Sequence, residues 1–326
     1  MNTTFKTFMQ GIIDYAGLFP PAELSLDTAI QNYSKYRKSD ESWMLSRFII
    51  PASRLQELEP YGDTLFQDGE PFAFSVLGKG TETVSEFTEH LKEVVEQVEA
   101  FHGIHGDRVT TEVLEIKLPK EAVFANDTEL LIDIYGETSK ILDQSPLTPN
   151  YIFFEGYFEE NWKKDIRLVL EAIRSHNQEF EGDIIREIAF KLRCGGVKAH
   201  MFPSVDEIAF TLNTARENDV AIKATAGLHH PIRHYSDSVQ AKMHGFFNVF
   251  GGGMLAYAHD FTKEELNEVL SEEDPEHFIF EDEHFRWKKY RVSNDEIKWL
   301  RKTALTSFGS CSFDEPREDL RKLGHL

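Results

Sequence analysis

The stretch VAIKATAGLHHPIRH, residues 220–234, is the part of the sequence that most clearly combines a strand with candidate chemistry. Residues 220–226 have the small and apolar side chains of a buried β-strand, and Gly227 then releases the chain into a loop. A lysine inside such a strand is costly to bury unless it forms an ion pair or takes part in a reaction. Histidines and an arginine follow directly in the loop. We therefore predict a catalytic strand that bears Lys223.

Strand-like and helix-like segments alternate along the chain. Because parallel strands need helical crossovers between them, this alternation predicts a parallel sheet. Capping pairs predict helix starts at Asn126, Ser204, Thr262 and Ser293. The predicted strands are Gly11–Leu18, Arg47–Pro51, Phe72–Leu77, Thr110–Leu118, Tyr151–Tyr157, Glu187–Cys194 and Val220–Ala226, with an eighth near His277–Phe285.

Eight strand–helix units predict a closed (β/α)8 barrel of the TIM type. We expect this barrel in residues 1–286 and a short C-terminal extension, packed on the barrel, in residues 287–326. The alternative is an open doubly wound sheet. Its dinucleotide-binding form needs a GxGxxG motif after the first strand, and the sequence has none there.

The composition restricts the partners of the protein. Fifty-six acidic residues against 35 basic residues give a formal charge of -21, which disfavours binding to nucleic acid and to anionic membranes. Two cysteines, Cys194 and Cys311, provide no disulfide framework and are typical of a reducing compartment. The N-terminus has no long apolar stretch of the kind found in secretory signals. We predict a cytoplasmic protein that binds a small-molecule substrate, with a homo-oligomer possible.

Charged residues lie near the carboxyl ends of the predicted strands, where strands of a parallel sheet are normally apolar. In a barrel these ends meet at one face, which is where active sites of this fold are found. One interpretation is a catalytic site. The other is a structural layer in which Glu115 and Glu155 neutralise Lys191 and Lys223. The charged positions are Asp14, Glu115, Lys117, Glu155, Lys191, Arg193 and Lys223.

Lys223 is the candidate nucleophile. Burial among alanines and proximity to Lys191 would lower the pKa of its amine, and a neutral amine can form a Schiff base with a carbonyl. Lys191, with Glu155 or Asp14 as the proton shuttle, would complete the catalytic set. The segment IKATAG resembles the lysine-bearing strand of class I aldolases of the deoxyribose-phosphate aldolase type. Alternatively, Lys223 anchors a phosphate or carboxylate of the substrate.

The histidines that follow Lys223 support a second hypothesis. His229, His230 and His244 could hold a divalent metal, although their spacing matches no standard zinc signature. For each single histidine, a hydrogen bond to substrate is the simpler expectation. No cofactor is predicted under the first hypothesis, and a divalent metal is possible under the second.

Further residues are candidates for holding an anionic substrate. Gly195 and Gly196 follow the sixth strand and precede a helix, where backbone amides can bind phosphate or carboxylate. The triple glycine at residues 251–253 instead indicates close packing of a helix on the barrel. In the tail, Cys311 could act as a nucleophile with a histidine as its base, but Ser312 and Glu315 also form a plain capping pattern. The full substrate-binding set is Arg193, Gly195, Gly196, His229, His230, Arg233, His234 and His244.

Several segments together resemble a family of uncharacterised bacterial proteins: DYAGLFPPA, KLRCGG, KATAGLHHPIRH, HGFFN and FGSCSFDEP. Members of that family have KLRTGG where this chain has Cys194, which argues against Cys194 as a nucleophile. The resemblance implies no activity or substrate. Three functions therefore remain open: an aldolase-like lyase that acts on a small anionic carbonyl or phosphorylated metabolite through Lys223, a metal-dependent hydrolase or lyase, and a non-catalytic small-molecule-binding barrel.

Overall fold

The computed structural model describes residues 2–67, 69–179 and 187–326. In chain order, the strands β1 to β13 are Ile13–Tyr15, Leu45–Pro51, Phe72–Leu77, Val109–Lys117, Tyr151–Glu155, Glu187–Arg193, Ile222–Thr225, His234–Ser236, Ala241–Met243, Phe278–Phe280, His284–Trp287, Tyr290–Ser293 and Leu305–Ser310. Eight of these strands are parallel and form a closed barrel in the order β1-β13-β7-β6-β5-β4-β3-β2. The predicted (β/α)8 fold is confirmed.

Helices separate the barrel strands, as a parallel sheet requires. Short 3-10 helices lie at Ser42–Met44, Ala52–Tyr61, Gly106–Arg108, Ala199–Met201 and Pro275–His277, and a π-helix spans Phe247–Gly251. In chain order, the α-helices α1 to α11 are Thr3–Met9, Leu26–Tyr36, Val84–His105, Lys120–Phe124, Thr128–Asp143, Trp162–Glu179, Val205–Glu217, Gly252–His259, Lys263–Leu270, Asn294–Thr303 and Asp314–Lys322.

Capping residues explain where several helices begin. Ser204, Thr262 and Ser293 each form a capping box with the glutamate three residues later, which confirms three predicted starts. The fourth was wrong by one residue, because Asp127 rather than Asn126 caps α5. Asn126 has a left-handed backbone, with φ of 54°, and its side chain donates to the carbonyl of Phe124.

The position of the eighth barrel strand corrects the sequence prediction. Residues 278–280 form β10 and residues 284–287 form β11, and both belong to a three-stranded antiparallel sheet with β12. The barrel is closed instead by β13, which pairs with β1 and β7. Residues 287–326 thus contain a barrel strand, so a boundary at residue 286 does not separate the barrel from an extension. The strong alternation of aromatic residues near 277–285 does indicate strands, but these strands belong to the three-stranded antiparallel sheet and not to the barrel.

The chain divides into two compact units. One comprises Met1–Ser25, Lys35–Ser46 and Leu192–Leu326, and the other comprises Leu26–Ser34 and Arg47–Lys191. Both contain buried apolar side chains, such as Phe308 in the first and Phe154 in the second. No helix in the described residues is both long enough and apolar enough to cross a bilayer.

The triple glycine at residues 251–253 serves close packing, as predicted. A Cβ atom on Gly253 would lie 2.8 Å from a methyl group of Leu305 in β13. One on Gly251 would lie 2.6 Å from the ring of Phe285. Both separations are shorter than van der Waals contact, so the helix can approach its neighbours this closely only without side chains at these positions.

His176, a buried histidine between two packed helices, makes the stability of the fold depend on pH. It lies in α6, and its Nε2 atom is 3.1 Å from the hydroxyl of Ser139 in α5. Burial lowers the pKa of His176 from 6.5 to about 4. Between these values the unfolded chain binds a proton that the folded chain does not, so stability decreases as the pH falls from about 6.5 towards 4.

We expect His176→Gln to remove roughly 2–3 kcal/mol of this acid destabilisation, since one pKa unit corresponds to about 1.4 kcal/mol. Urea unfolding near neutral pH and at about pH 4.5 gives the free energy of unfolding of each protein at both values. The decrease on acidification is then compared between His176→Gln and the wild type. His200→Gln, at an exposed position, is the control and is expected to behave as the wild type. An equal acid loss in His176→Gln and in the wild type contradicts the prediction.

Candidate functional site

Lys223 lies in β7 and contacts a carboxylate from another barrel strand. Its Nζ atom donates a short hydrogen bond to Oδ2 of Asp14, in β1. Ser307, in β13, donates to the same oxygen at 2.7 Å. The side chains of Lys223 and Asp14 are both completely buried. Because β13 pairs with β7 on one side and with β1 on the other, three neighbouring strands build this cluster.

Lys191, in β6, forms a second buried cluster. Its Nζ atom lies 2.8 Å from Glu115 in β4 and 3.0 Å from Glu155 in β5. Ser75, in β3, donates to the other oxygen of Glu115 at 2.5 Å. Burial alone would lower the pKa of Lys191, but the charges of both glutamates and their hydrogen bonds raise it above its usual value. Lys191 is therefore a cation held between two carboxylates.

These contacts determine how the charged strand positions are paired. The structural interpretation placed Glu115 and Glu155 against both Lys191 and Lys223. The structure brings both glutamates to Lys191, whereas Lys223 contacts Asp14. A lysine already neutralised by two carboxylates is a poor holder for a substrate anion.

The loop after β7 places His229 against the turn that follows β13. Ala226 and Gly227 have positive φ angles of 58° and 72°, which turn the chain sharply before the histidine. The Nδ1 atom of His229 lies 3.3 Å from Glu315 and 3.8 Å from the sulfur of Cys311. Burial alone would lower the pKa of His229, but hydrogen bonds and charge interactions with Cys311 and Glu315 raise it to about 9.

The next two histidines of the loop make different contacts. His230 bonds through Nδ1 to Asp319, in α11, at 2.5 Å. The ring of His234 packs edge-on against that of His230, with 4.4 Å between centroids, and its Nδ1 lies 3.0 Å from the carbonyl of Ile232. Burial lowers the pKa of His234. These two histidines form a half-buried pair beside α11.

His244 is engaged through both ring nitrogens. Its Nε2 donates to the carbonyl of Pro203 at 2.7 Å, and its Nδ1 accepts from Arg233 at 3.2 Å. Burial lowers the pKa of His244 to about 4, so the ring is neutral at neutral pH. Neither nitrogen is available for a metal in this arrangement. The described residues thus do not join His229, His230 and His244 into one ligand set.

The glycines after β6 have a packing role. A Cβ atom on Gly195 would lie 2.5 Å from the ring of Phe202 and 3.0 Å from the backbone of Gly227. One on Gly196 would lie 2.7 Å from Met201. Arg193 is exposed and donates to the carbonyl of Gly195 at 3.3 Å. The absence of side chains at residues 195 and 196 is thus explained without a bound anion.

The comparisons with known proteins place the chain in no family. No family model matches it, and no curated protein matches it. Among solved structures, the chain is similar to the one described as "QR15, an Aldolase", with a TM-score of 0.42 and 11% sequence identity, over 67% of this chain and 80% of that chain. A likeness this distant says nothing about the chemistry of the present chain.

The sequence does not predict the serines of the two lysine clusters, and it does not predict that Cys311 and Glu315 both contact His229. Ser75 and Ser307 are ordinary strand residues, and no pattern marks them. The sequence marks Cys311 as a possible nucleophile, but for Glu315 it predicts only a capping role. Only half of that pattern is present: the hydroxyl of Ser312 accepts from the backbone N–H of Glu315 at 3.1 Å, but Phe313 is the N-cap of α11 and no capping box forms. The side chain of Glu315 nevertheless points to His229.

Proposed function

We propose that this protein is an enzyme that makes or breaks a carbon–carbon bond next to a small carbonyl group, with Lys223 as the Schiff-base nucleophile. The observation that carries this proposal is the completely buried contact between the amine of Lys223 in β7 and the carboxylate of Asp14 in β1, on the two strands that flank β13. A lysine amine needs a nearby proton acceptor to become a nucleophile. Asp14 is in the position to be that acceptor.

The steps balance with these two residues and water. Asp14 accepts a proton from the Lys223 ammonium, and the neutral amine adds to the carbonyl carbon of the substrate. The resulting carbinolamine takes a proton from Asp14 at its hydroxyl group and loses water, which forms an iminium ion. The carbon–carbon bond then breaks, and its electron pair moves to the iminium nitrogen to form an enamine. Asp14 accepts the proton of the hydroxyl group that becomes the new carbonyl. Protonation of the enamine carbon and hydrolysis release the second product.

Ser307 supports this role by orienting the base. Its hydroxyl donates to the Asp14 oxygen that faces Lys223, which restricts rotation of the carboxylate. Of the two predicted proton shuttles, Asp14 is the one we propose, because Glu155 contacts Lys191 instead. Arg193, exposed at the end of β6, and Arg233 remain candidates for binding the anionic part of the substrate.

Borohydride trapping tests the proposal. The protein is incubated with a panel of small aldehydes and ketoacids, reduced, and digested for mass spectrometry. We expect a reduced adduct on Lys223 that is absent in Lys223→Arg. The control is Lys242→Arg, at a half-exposed lysine paired with Glu273 on the surface. Circular dichroism establishes that each variant is folded.

Two outcomes of the trapping experiment would reject the proposal. One is an adduct that persists on another lysine in Lys223→Arg while the wild type carries none on Lys223. The other is the absence of any adduct together with the absence of turnover across the panel, which supports a non-catalytic binding barrel. Asp14→Asn is expected to slow formation of the adduct, because the amide cannot accept the proton.

A further inference from the structure

Three donor atoms converge at the carboxyl ends of β7 and β13. They are Nδ1 of His229, the sulfur of Cys311 and a carboxylate oxygen of Glu315, and all lie within 4.8 Å of one another. His229 and Cys311 are buried, whereas the side chain of Glu315 is half-exposed. The same two strands carry Lys223 and Ser307. A second cluster of chemically active groups thus lies beyond the buried lysine, along one pair of strands.

The spacing of these atoms agrees with tetrahedral coordination. Zinc binds sulfur at about 2.3 Å and histidine nitrogen or carboxylate oxygen at about 2.0–2.2 Å. In a tetrahedron these bond lengths place nitrogen and sulfur about 3.6 Å apart, and nitrogen and oxygen about 3.4 Å apart. The observed separations from His229 are 3.8 Å to Cys311 and 3.3 Å to Glu315, both close to these values. The third separation, between the Cys311 sulfur and the Glu315 oxygen, is within 4.8 Å, so the ligands need to close in on the ion mainly along this pair.

The alternative is a metal-free catalytic relay, and the contacts of His229 argue against it. In a nucleophile–base–acid relay, the nucleophile and the acid contact opposite nitrogens of the imidazole. Here the thiol of Cys311 and the carboxylate of Glu315 both contact Nδ1. A single nitrogen holds one proton, so it cannot both take the thiol proton and remain oriented by a bond to the acid. Two further donor atoms grouped on the same side of one imidazole nitrogen are instead typical of ligands around an ion.

The turn between β13 and α11 is built to hold two of these ligands. The hydroxyl of Ser310 donates to the carbonyl of Ser312 at 2.7 Å, which closes the turn around Cys311. The hydroxyl of Ser312 accepts from the backbone of Glu315 and places this residue in the first turn of α11. Local hydrogen bonds therefore position both residues before any cation is bound, which reduces the entropy lost on binding.

We propose that His229, Cys311 and Glu315 form a binding site for a divalent transition metal of the zinc class, with the fourth coordination position open. A thiolate and an imidazole select such ions over magnesium and calcium, which prefer oxygen ligands. The thiolate and the carboxylate balance the charge of the ion, and two protons, one from the thiol and one from Nδ1 of His229, are released to solvent on binding. Three protein ligands with one open position are typical of zinc sites that bind water or substrate. This proposal does not depend on a Schiff base at Lys223.

Cobalt binding tests the site through the sulfur–metal bond. The full chain, purified without a histidine tag and stripped with a chelator, is titrated with Co²⁺ and followed by absorbance. We expect one equivalent per chain, a thiolate-to-cobalt charge-transfer band and the intense visible bands of a tetrahedral complex. The charge-transfer band is expected to be absent in Cys311→Ser and unchanged in Cys194→Ser. The chain has only these two cysteines, so Cys194 provides a matched control.

Glu315→Gln provides a second test at a half-exposed residue, where the substitution disturbs packing little. Even partners behind the ligands alter metal affinity by roughly 10- to 100-fold, so we expect at least about a tenfold weaker affinity for cobalt in this variant. The proposal is overturned if the charge-transfer band persists in Cys311→Ser. It is also overturned if the wild type binds cobalt no more tightly than Cys311→Ser and Glu315→Gln do, or if the wild type binds no cobalt. Rapid reaction of Cys311 with iodoacetamide in that last case indicates a metal-free nucleophile.

Discussion

Asp14→Ala is expected to lower the free energy of unfolding by about 3–5 kcal/mol, the range observed when one partner of a buried ion pair is removed. The substitution takes away the carboxylate that contacts Lys223, while the lysine stays completely buried in β7. It also removes the acceptor of the hydrogen bond from Ser307. Chemical denaturation of the variant and the wild type at neutral pH measures the loss.

A double variant separates loss of the ion pair from loss of packing. Asp14→Leu combined with Lys223→Met replaces both charges with apolar groups, and such replacements are often neutral or stabilising. We therefore expect it to be more stable than Asp14→Ala while forming no Schiff base. The control is Asp295→Ala, whose pair with Lys298 is exposed and contributes at most about 1 kcal/mol. A loss no greater in Asp14→Ala than in Asp295→Ala would show that the buried pair contributes little.

Lys191→Met is expected to destabilise the protein by about 3–5 kcal/mol at neutral pH. The variant leaves Glu115 and Glu155 buried without the ammonium that lies 2.8 and 3.0 Å from them. Two carboxylates that share a site cannot both stay ionised at low cost, so the pKa of at least one rises in the folded variant. The folded state then binds more protons than the unfolded state, and the stability of the variant relative to the wild type improves as the pH decreases.

Denaturation of Lys191→Met and the wild type at about pH 8 and about pH 5 tests this sign, because the difference between them is expected to shrink at the lower value. Lys191→Met with Glu115→Gln and Glu155→Gln is expected to recover part of the loss, since neutral amides replace the carboxylates. Lys117→Met, at a partly exposed lysine at the end of β4, is the control. A difference that stays constant with pH would contradict the assigned cause.

Local patterns accounted for much of the fold. Apolar strands bounded by polar helices predicted the barrel, and the capping boxes at Ser204, Thr262 and Ser293 predicted helix starts to the residue. These features depend on interactions between residues a few positions apart, so the sequence shows them directly. The last barrel strand was missed because its sequence, LTSFGS, is rich in small and hydroxylated residues. Its identity as a strand depends on pairing with β1 and β7.

The fold class and the presence of charged residues on the barrel strands follow from patterns along the chain. The partners of those charged residues follow only from the folded barrel, because strand order in a closed barrel differs from order along the chain. Asp14 and Lys223 are 209 residues apart, yet β13 lies between their strands, and its Ser307 donates to the Asp14 oxygen that contacts Lys223. The same pairing of β13 with β7 brings Cys311 to His229, a contact that no spacing in the sequence predicts.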